Sequence, residues 1–325
     1  QSSKSKVQSC VVIVLYSGIG ATVTKRYTGK GEIGIMNETG IVIPETWRAL
    51  DVAGWRSPIL IFGASDSGKS TFARYLYGRL ATHHATVAFI DADIGQNSFG
   101  LPATLTLGVS REQGDRSFPP AGLRRINFVG NNTPVGSMLA VVTGLERLRR
   151  FARRAKVDAL VIDTSGLVDP LHGGPNLKWA KVELFRPCTV VALARGQELE
   201  PVLTPLRHLP DVTLVELPVC DAVRPRTTEA RRAYRAACYR ACFASAQRLP
   251  LVYRQLAVFP DQDFTPGRLA ALEGRDGFTL ALALVESAND TAVWLRTPWN
   301  GSEHVAALRL GNLRIDTETF QDARL

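Results

Sequence analysis

The sequence predicts an α/β fold: a mainly parallel sheet flanked by helices, followed by a small β-rich unit at the carboxyl end. Three observations predict it. Between Ser57 and about residue 245, short apolar runs rich in Val and Ile alternate with helix-length stretches. A complete G-x-x-x-x-G-K-S sequence stands between the first of those runs and the first helical stretch. After Pro250 the text changes to apolar segments separated by turn-rich pieces such as Glu273-Gly274-Arg275-Asp276-Gly277.

Taken in order, residues 1–56 read as a short N-terminal β-rich segment. Val11–Tyr16 is β-like, and the Gly-rich text that follows runs to Pro44 as short strands and turns. Lys4 and Lys6 ahead of the apolar Cys10–Tyr16 imitate a short signal peptide, but the Val/Ile richness suits a strand better. Gly29–Gly34 reads as turns, because no strand leads from it into a helix.

Residues 57–248 carry the main domain. Strands are expected at Pro58–Phe62, Thr86–Asp91, Arg125–Gly130, Ala159–Asp163, Thr189–Leu193 and Val212–Leu217. Helices are expected from Lys69 to about His83, over Met138–Lys156, in a segment ending at Phe185, and over Thr228–Phe243. The stretch between Asp91 and Arg125 reads as a loop, and the piece before Val212 as a connection. Residues 249–325 form a β-rich C-terminal domain, with segments at Leu251–Phe259, Phe278–Val285, Thr291–Arg296 and Val305–Ile315.

Composition bounds the partners. With 325 residues, 45% hydrophobic and 21% charged, the chain can bury a large core and is not a disordered tail. A net charge of +9 leans towards polyanions such as nucleic acid. A membrane surface fits the same charge; no apolar run approaches the roughly 18 residues that span a bilayer, so a soluble protein with no membrane partner is expected. The five cysteines, Cys10, Cys188, Cys220, Cys238 and Cys242, form no C-x-x-C pair and fit a reducing, cytoplasmic setting. Cys238 and Cys242 read as small apolar residues on one helical face rather than as zinc ligands.

The chemistry concentrates at three strand ends. Gly63-Ala64-Ser65-Asp66-Ser67-Gly68-Lys69-Ser70-Thr71 is a complete P-loop, placing the chain among the P-loop NTPases. Its glycines let successive backbone N–H groups face phosphates, and the next helix adds the positive end of its dipole. Lys69 would bridge the β- and γ-phosphates of ATP, and the Ser70 hydroxyl would ligate Mg²⁺. The strand ending at Asp91-Ala92-Asp93-Ile94-Gly95-Gln96 brings two carboxylates and an amide to its carboxyl end, with Asp91 and Asp93 on one side. One would hold a metal-bound water while the other takes a proton from an attacking hydroxyl; an Asx-rich turn is the plainer alternative. Asp163, before Thr164-Ser165-Gly166, closes a third apolar strand as a Walker B carboxylate for Mg²⁺.

At these residues the sequence resembles the polynucleotide 5′-hydroxyl kinases, the P-loop family that includes the kinase subunit of the messenger-RNA cleavage factor and the nucleolar pre-ribosomal-RNA kinases. The motifs come in the family's order: GASDSGKST, DADIGQNSFGLPATLTLG, FVGNNTPVG, DTSG and the arginine-rich RTTEARRAYR. The resemblance covers about residues 57–245, and the C-terminal LALALV and LRLGNLRI look like the family's small β domain. The short N-terminal region looks like a compact bacterial or archaeal branch.

The resemblance implies transfer of the ATP γ-phosphate to the 5′-hydroxyl of RNA, favoured over DNA, in RNA processing or repair, with RNA-processing proteins as possible partners. Lys69 would then stabilise the transferring phosphoryl group, and Asp93 matches the general base. Gln96 would help order metal and phosphate, and Thr133-Pro134 matches the start of a clasp on the terminal nucleotides. Arg226 and Arg231 fall on the arginines of a lid at about residues 222–243. Leu167 and Val141 stand where other branches carry stacking aromatics.

Two further readings stay open on the residues alone: a catalytically weak ATP-binding scaffold of an RNA-processing assembly, and a nucleotide-switch NTPase or small-metabolite kinase. The basic run Arg147, Arg149, Arg150, Arg153, Arg154 and Lys156 reads as the outer face of a helix or as a track for a nucleic-acid backbone. His172 reads as a loop residue.

Overall fold

The computed structural model describes residues 10–16, 23–28, 35–36 and 41–325 apart from residue 57. The turn expected at Gly29–Gly34 lies outside the described residues. Two compact units form, each discontinuous in sequence. One takes the chain up to Val87 with Arg111–Phe118 and Val157–Pro225; the other takes Ala88–Ser110, Pro119–Lys156 and Arg226–Leu325.

The first unit opens with β1 (Cys10–Tyr16), β2 (Val23–Thr28), β3 (Ile35–Met36), β4 (Val42–Ile43) and α1 (Glu45–Arg48), then β5 (Pro58–Gly63) and α2 (Lys69–Ala81). The chain enters the second unit with β6 (Val87–Ala92), β7 (Thr104–Ser110), β8 (Leu123–Phe128) and α3 (Met138–Arg154). It returns to the first for β9 (Ala159–Thr164), α4 (Gly174–Phe185), β10 (Cys188–Ala194), α5 (Glu200–Leu206) and β11 (Val212–Pro218). The second unit ends with α6 (Thr228–Phe243), β12 (Gln247–Leu251), β13 (Ala257–Phe259), β14 (Arg268–Glu273), β15 (Thr279–Ala288), β16 (Val293–Thr297), β17 (Ala307–Ile315) and β18 (Asp322–Arg324).

In the first unit the strands lie in the order β2-β1-β11-β10-β5-β9. β11, β10, β5 and β9 are parallel, with Val190 opposite both Leu214 and Leu60, and Ile59 opposite Val161. β1 joins antiparallel, Leu15 opposite Val215. The parallel strands are continuous apolar runs because helices cover such sheets on both faces: Ile59, Leu60, Ile61, Phe62, Val161 and Ile162 are all buried.

In the second unit β7 and β8 pair antiparallel. Seven further strands form a sheet in the order β12-β16-β15-β14-β17-β13, with β18 on β17. Its pairings are antiparallel except β13 with β17. One apolar cluster joins Tyr239 and Phe243 of α6 to Leu269, Leu282 and Leu313 of this sheet. Burying each such side chain is worth about 1.5–3 kcal/mol, which fastens the carboxyl half of α6 to the sheet.

Three elements depart from the sequence reading. β7 stands where a loop was expected: Leu105, Leu107 and Val109 alternate with buried Thr104 and Thr106, a period-2 pattern hidden among polar and glycine-rich text. β14 was not expected, and α5 replaces a plain connection, with its prolines at Pro201 and Pro205. Among the described residues no helix is long and apolar enough to cross a membrane.

Candidate functional site

In the first unit the P-loop turns between β5 and α2. Gly68, with φ +81°, occupies the left-handed region at the N-cap of α2, where a side chain is strained. The first turn of α2 carries no carboxylate, so the positive end of a 13-residue helix stays uncompensated towards the loop. Lys69, 6% exposed, donates from Nζ to the Ala64 carbonyl at 2.6 Å, with Ser67 Oγ at 3.5 Å. Its cation therefore lies over the curl of backbone that would cradle phosphates. Arg195, beyond β10, donates to the Asp66 carbonyl and ties the outside of the loop down.

The Asp163 strand end is built against this loop. Asp163 is 1% exposed, and the Thr164 hydroxyl donates to Ile61 O at 2.6 Å, locking β9 to β5. Lys178 of α4, itself buried, donates to Thr164 Oγ1 at 2.8 Å and Ser165 O at 2.7 Å, with its Nζ 4.8 Å from the Phe62 ring centroid. Gly166 passes so close to the P-loop that a Cβ there would meet Ser65 N and Cα at 2.7 Å. Ser165 Oγ is buried with no hydrogen-bond partner. Hydroxyl and carboxylate oxygens are the hard donors Mg²⁺ takes, so Ser70 and Asp163 fit that ion chemically. Among the described residues no group of three His, Cys, Asp or Glu is placed to hold a metal ion.

In the second unit the two carboxylates after β6 have different surroundings. Asp91 is fully buried and accepts from Ser98 N, from Ser98 Oγ at 2.6 Å and from Asp93 N at 3.1 Å, so it shapes the loop. Asp93 is half-buried, and its Oδ1 accepts from Gly95 N at 3.0 Å and Gln96 N at 3.1 Å. Both carboxylates thus make the bonds of the plainer alternative, an Asx-rich turn: Asp91 accepts from Asp93 N, and Asp93 from Gly95 N and Gln96 N. Gln96 donates to Arg231 O at 3.5 Å, and its Oε1 is buried without a partner.

Thr133 accepts from Val135 N at 3.3 Å, and Pro134 is buried, forming a rigid turn before α3. Arg226 is exposed ahead of α6, and Arg231 lies half-buried in its first turns. Thr227 caps that helix, accepting from Ala230 N at 3.1 Å. The arginine-rich helix is not free-standing, because Tyr239 and Phe243 fasten it to the core.

Several sequence candidates fall elsewhere. Val141 is 1% exposed inside α3, so no base stacks there, and Leu167 is half-buried. Arg147 bonds Asn127 Oδ1 at 2.9 Å, while Arg149 and Arg150 each reach Glu146 at 2.6 Å, so half of that basic run is already engaged. His172 pairs with Asp169 at 2.5 Å in an exposed turn. Cys188, Cys220, Cys238 and Cys242 are free, and burial pushes the Cys242 thiol up to about 11. Sequence reading missed Lys178 and Arg195, because a lysine within a helix and an arginine after a strand carry no local mark of a distant partner.

Residues 63–245 match the family described as mRNA cleavage and polyadenylation factor CLP1 P-loop. The chain is 29% identical over 189 residues to a polyribonucleotide 5′-hydroxyl-kinase of Methanocaldococcus jannaschii, covering 58% of this chain and 51% of that protein. It is 30% identical over 196 residues to the corresponding kinase of Pyrococcus furiosus, covering 59% and 52%. The chain thus spans about half the length of these curated relatives. Among solved structures, that of wild-type Clp1p in complex with Pcf11p superposes with a TM-score of 0.60 at 14% identity, covering 95% of this chain and 94% of that one, a likeness of fold.

Proposed function

The chain belongs to the mRNA cleavage and polyadenylation factor CLP1 P-loop family, and on that premise we propose that it is an ATP-dependent polynucleotide 5′-hydroxyl kinase acting on RNA in preference to DNA. The observation that carries this reading is Asp93: a half-buried carboxylate whose Oδ1 is held by the N–H groups of Gly95 and Gln96, which leaves Oδ2 to take a proton.

The first unit would bind the donor. Lys69 would exchange the Ala64 carbonyl for oxygens of the β- and γ-phosphates, alongside the backbone of Gly63, Ala64, Ser65, Asp66, Ser67, Gly68, Ser70 and Thr71. The second unit would bind the acceptor, with Thr133 and Pro134 beginning the grip on the terminal nucleotides and Gln96 beside them. The 5′-hydroxyl oxygen forms a bond to the γ-phosphorus as the bond from that phosphorus to the β,γ-bridging oxygen breaks. ADP leaves, and the hydroxyl proton passes to Asp93. Arg226 and Arg231 would offset charge on the transferring group.

In the first unit Ser70 and Asp163 are the oxygen donors that would hold Mg²⁺; in the second unit, taken by itself, Asp93 and Gln96 are the residues expected to serve a metal. That ion, when bound, neutralises phosphate charge. The relatives' name, polyribonucleotide kinase, supports RNA as the acceptor. Protein partners in RNA processing belong to the same proposal: the family's description names mRNA cleavage and polyadenylation, and the solved structure of like fold holds Clp1p together with Pcf11p. A cytoplasmic location is part of the same proposal.

The test is transfer from γ-labelled ATP to matched 5′-hydroxyl RNA and DNA oligonucleotides, with Mg²⁺ omitted in one series. Labelled RNA product that disappears in Lys69→Ala and Asp93→Asn is the expected result. Nucleotide binding without transfer, or hydrolysis indifferent to nucleic acid, would overturn it in favour of a scaffold or a switch.

A further inference from the structure

Four segments of the second unit meet in a closed ring of contacts. The loop after β6 approaches the turn before α3 so tightly that a Cβ on Gly95 would stand 2.5 Å from Asn132 O. Asn132 donates from Nδ2 to the carboxylate of Asp322 in β18. That carboxylate, 1% exposed, accepts from Arg235 Nε of α6 at 3.0 and 3.1 Å. α6 in turn reaches back to the first loop, through Tyr234, whose hydroxyl donates to Asn97 O at 2.5 Å, and through Gln96 and Arg231 O.

The Asp322 carboxylate thus bonds two segments that the proposed reaction uses, the turn that carries Thr133-Pro134 and the arginine-bearing helix, and both of these meet the third, the Asp93 loop. We propose that Asp322 is a positioning residue for the acceptor, holding the 131–134 turn and α6 in register so that the grip on the terminal nucleotides is formed before nucleic acid arrives. This rests on the kinase reading for the identity of the acceptor.

Two features favour a dedicated role over general packing. A buried carboxylate shared between an arginine and an amide is costly to desolvate, and stability alone would be served as well by apolar residues of similar volume. The two partners also belong to different segments: Asn132 lies in the turn and Arg235 in the helix, 190 and 87 residues from Asp322 respectively. Two other links brace the turn from the same sheet. Asn312 N donates to Gly130 O at 2.7 Å, and Gly130 and Gly311 pack backbone to backbone.

Removing Asp322 leaves Arg235 buried without its carboxylate, a strongly destabilising change in its own right; Asn132→Ala is therefore the principal variant, because it keeps the Arg235–Asp322 pair. The measurements are affinity for a fluorescent 5′-hydroxyl RNA oligonucleotide by anisotropy, KM for that RNA and for ATP, and thermal unfolding. Asn132→Ala is expected to weaken RNA binding and raise its KM roughly tenfold, the loss of one hydrogen bond to a charged group, with the KM for ATP within about twofold. Asp322→Ala is expected to do the same, and the double variant to lose no more than the worse single one. RNA affinity unchanged in a folded Asn132→Ala protein overturns the proposal, as do additive losses, while leaving phosphate transfer and the kinase reading intact. A wild-type chain that binds RNA without transferring phosphate overturns the kinase reading instead, and the anisotropy comparison still decides the role of Asp322.

Discussion

Gly166 and Ser65 are in backbone contact, so the strand end that carries Asp163 and the P-loop are packed as one surface with no room for a single methyl group. Gly166→Ala must push the Ser65 backbone out of place, and such overpacking costs about 1–3 kcal/mol. The expected outcome is a loss of ATP affinity of at least about tenfold by calorimetry, with the second unit's RNA affinity retained. Unaltered ATP affinity would mean that the loop yields without harm to the cradle.

The two candidate catalytic groups should separate kinetically. Lys69→Ala removes the cation proposed to act on the developing phosphoryl charge, and is expected to lower kcat on the order of 10²–10³. Asp93→Asn keeps an acceptor oxygen for Gly95 and Gln96 N–H but loses the proposed proton acceptor, and is expected to reduce kcat by about 10²–10⁴ while ATP still binds. Full activity in Asp93→Asn would remove Asp93 from the mechanism.

Arg226 and Arg231 sit differently, one exposed in the approach to α6 and the other half-buried within it. If both act on the transition state, each Arg→Ala change lowers kcat on the order of tenfold or more, and ATP affinity stays within about twofold. A rise in the KM for ATP at constant kcat would show plain ground-state binding instead.

Acid sensitivity has a local origin in the first unit. Hydrogen bonds from Arg207 hold the Glu200 carboxyl at about 2, against its ordinary 4.5. A carboxylate depressed in the folded state contributes stability above its unfolded value, and that contribution is lost as pH falls from about 4.5 through about 2. Glu200 is more than a third exposed, so solvent reduces the effect. Urea midpoints measured at pH 6 and pH 3 should therefore differ less in Arg207→Gln than in the wild type; equal differences would remove this pair as the cause.

Much of the candidate site was legible because its chemistry is local. A P-loop needs glycines, a lysine and a hydroxyl within nine consecutive residues, and the strand before it and the helix after it announce themselves by apolar period. α6 runs over the expected Thr228–Phe243, since a capping Thr227 and an apolar stripe mark its ends. The parallel core strands read as continuous Val/Ile runs for the same reason: burial on both faces writes itself into adjacent residues.

What spacing left undetermined is which side chain meets which. Spacing alone left Asp91 and Asp93 equal, and only the family resemblance singled out Asp93; the folded loop buries Asp91 against Ser98 and keeps Asp93 half-buried. Val141 looked like a vacant stacking position and is core. β7 was hidden among polar neighbours until pairing with β8 gave its threonines a buried place. Lys178 over Phe62, and Asp322 between Asn132 and Arg235, join residues far apart in the chain. Motifs that act through their own backbone can be read along the chain, whereas partnerships across it exist only once long-range packing has excluded water and brought the two ends together.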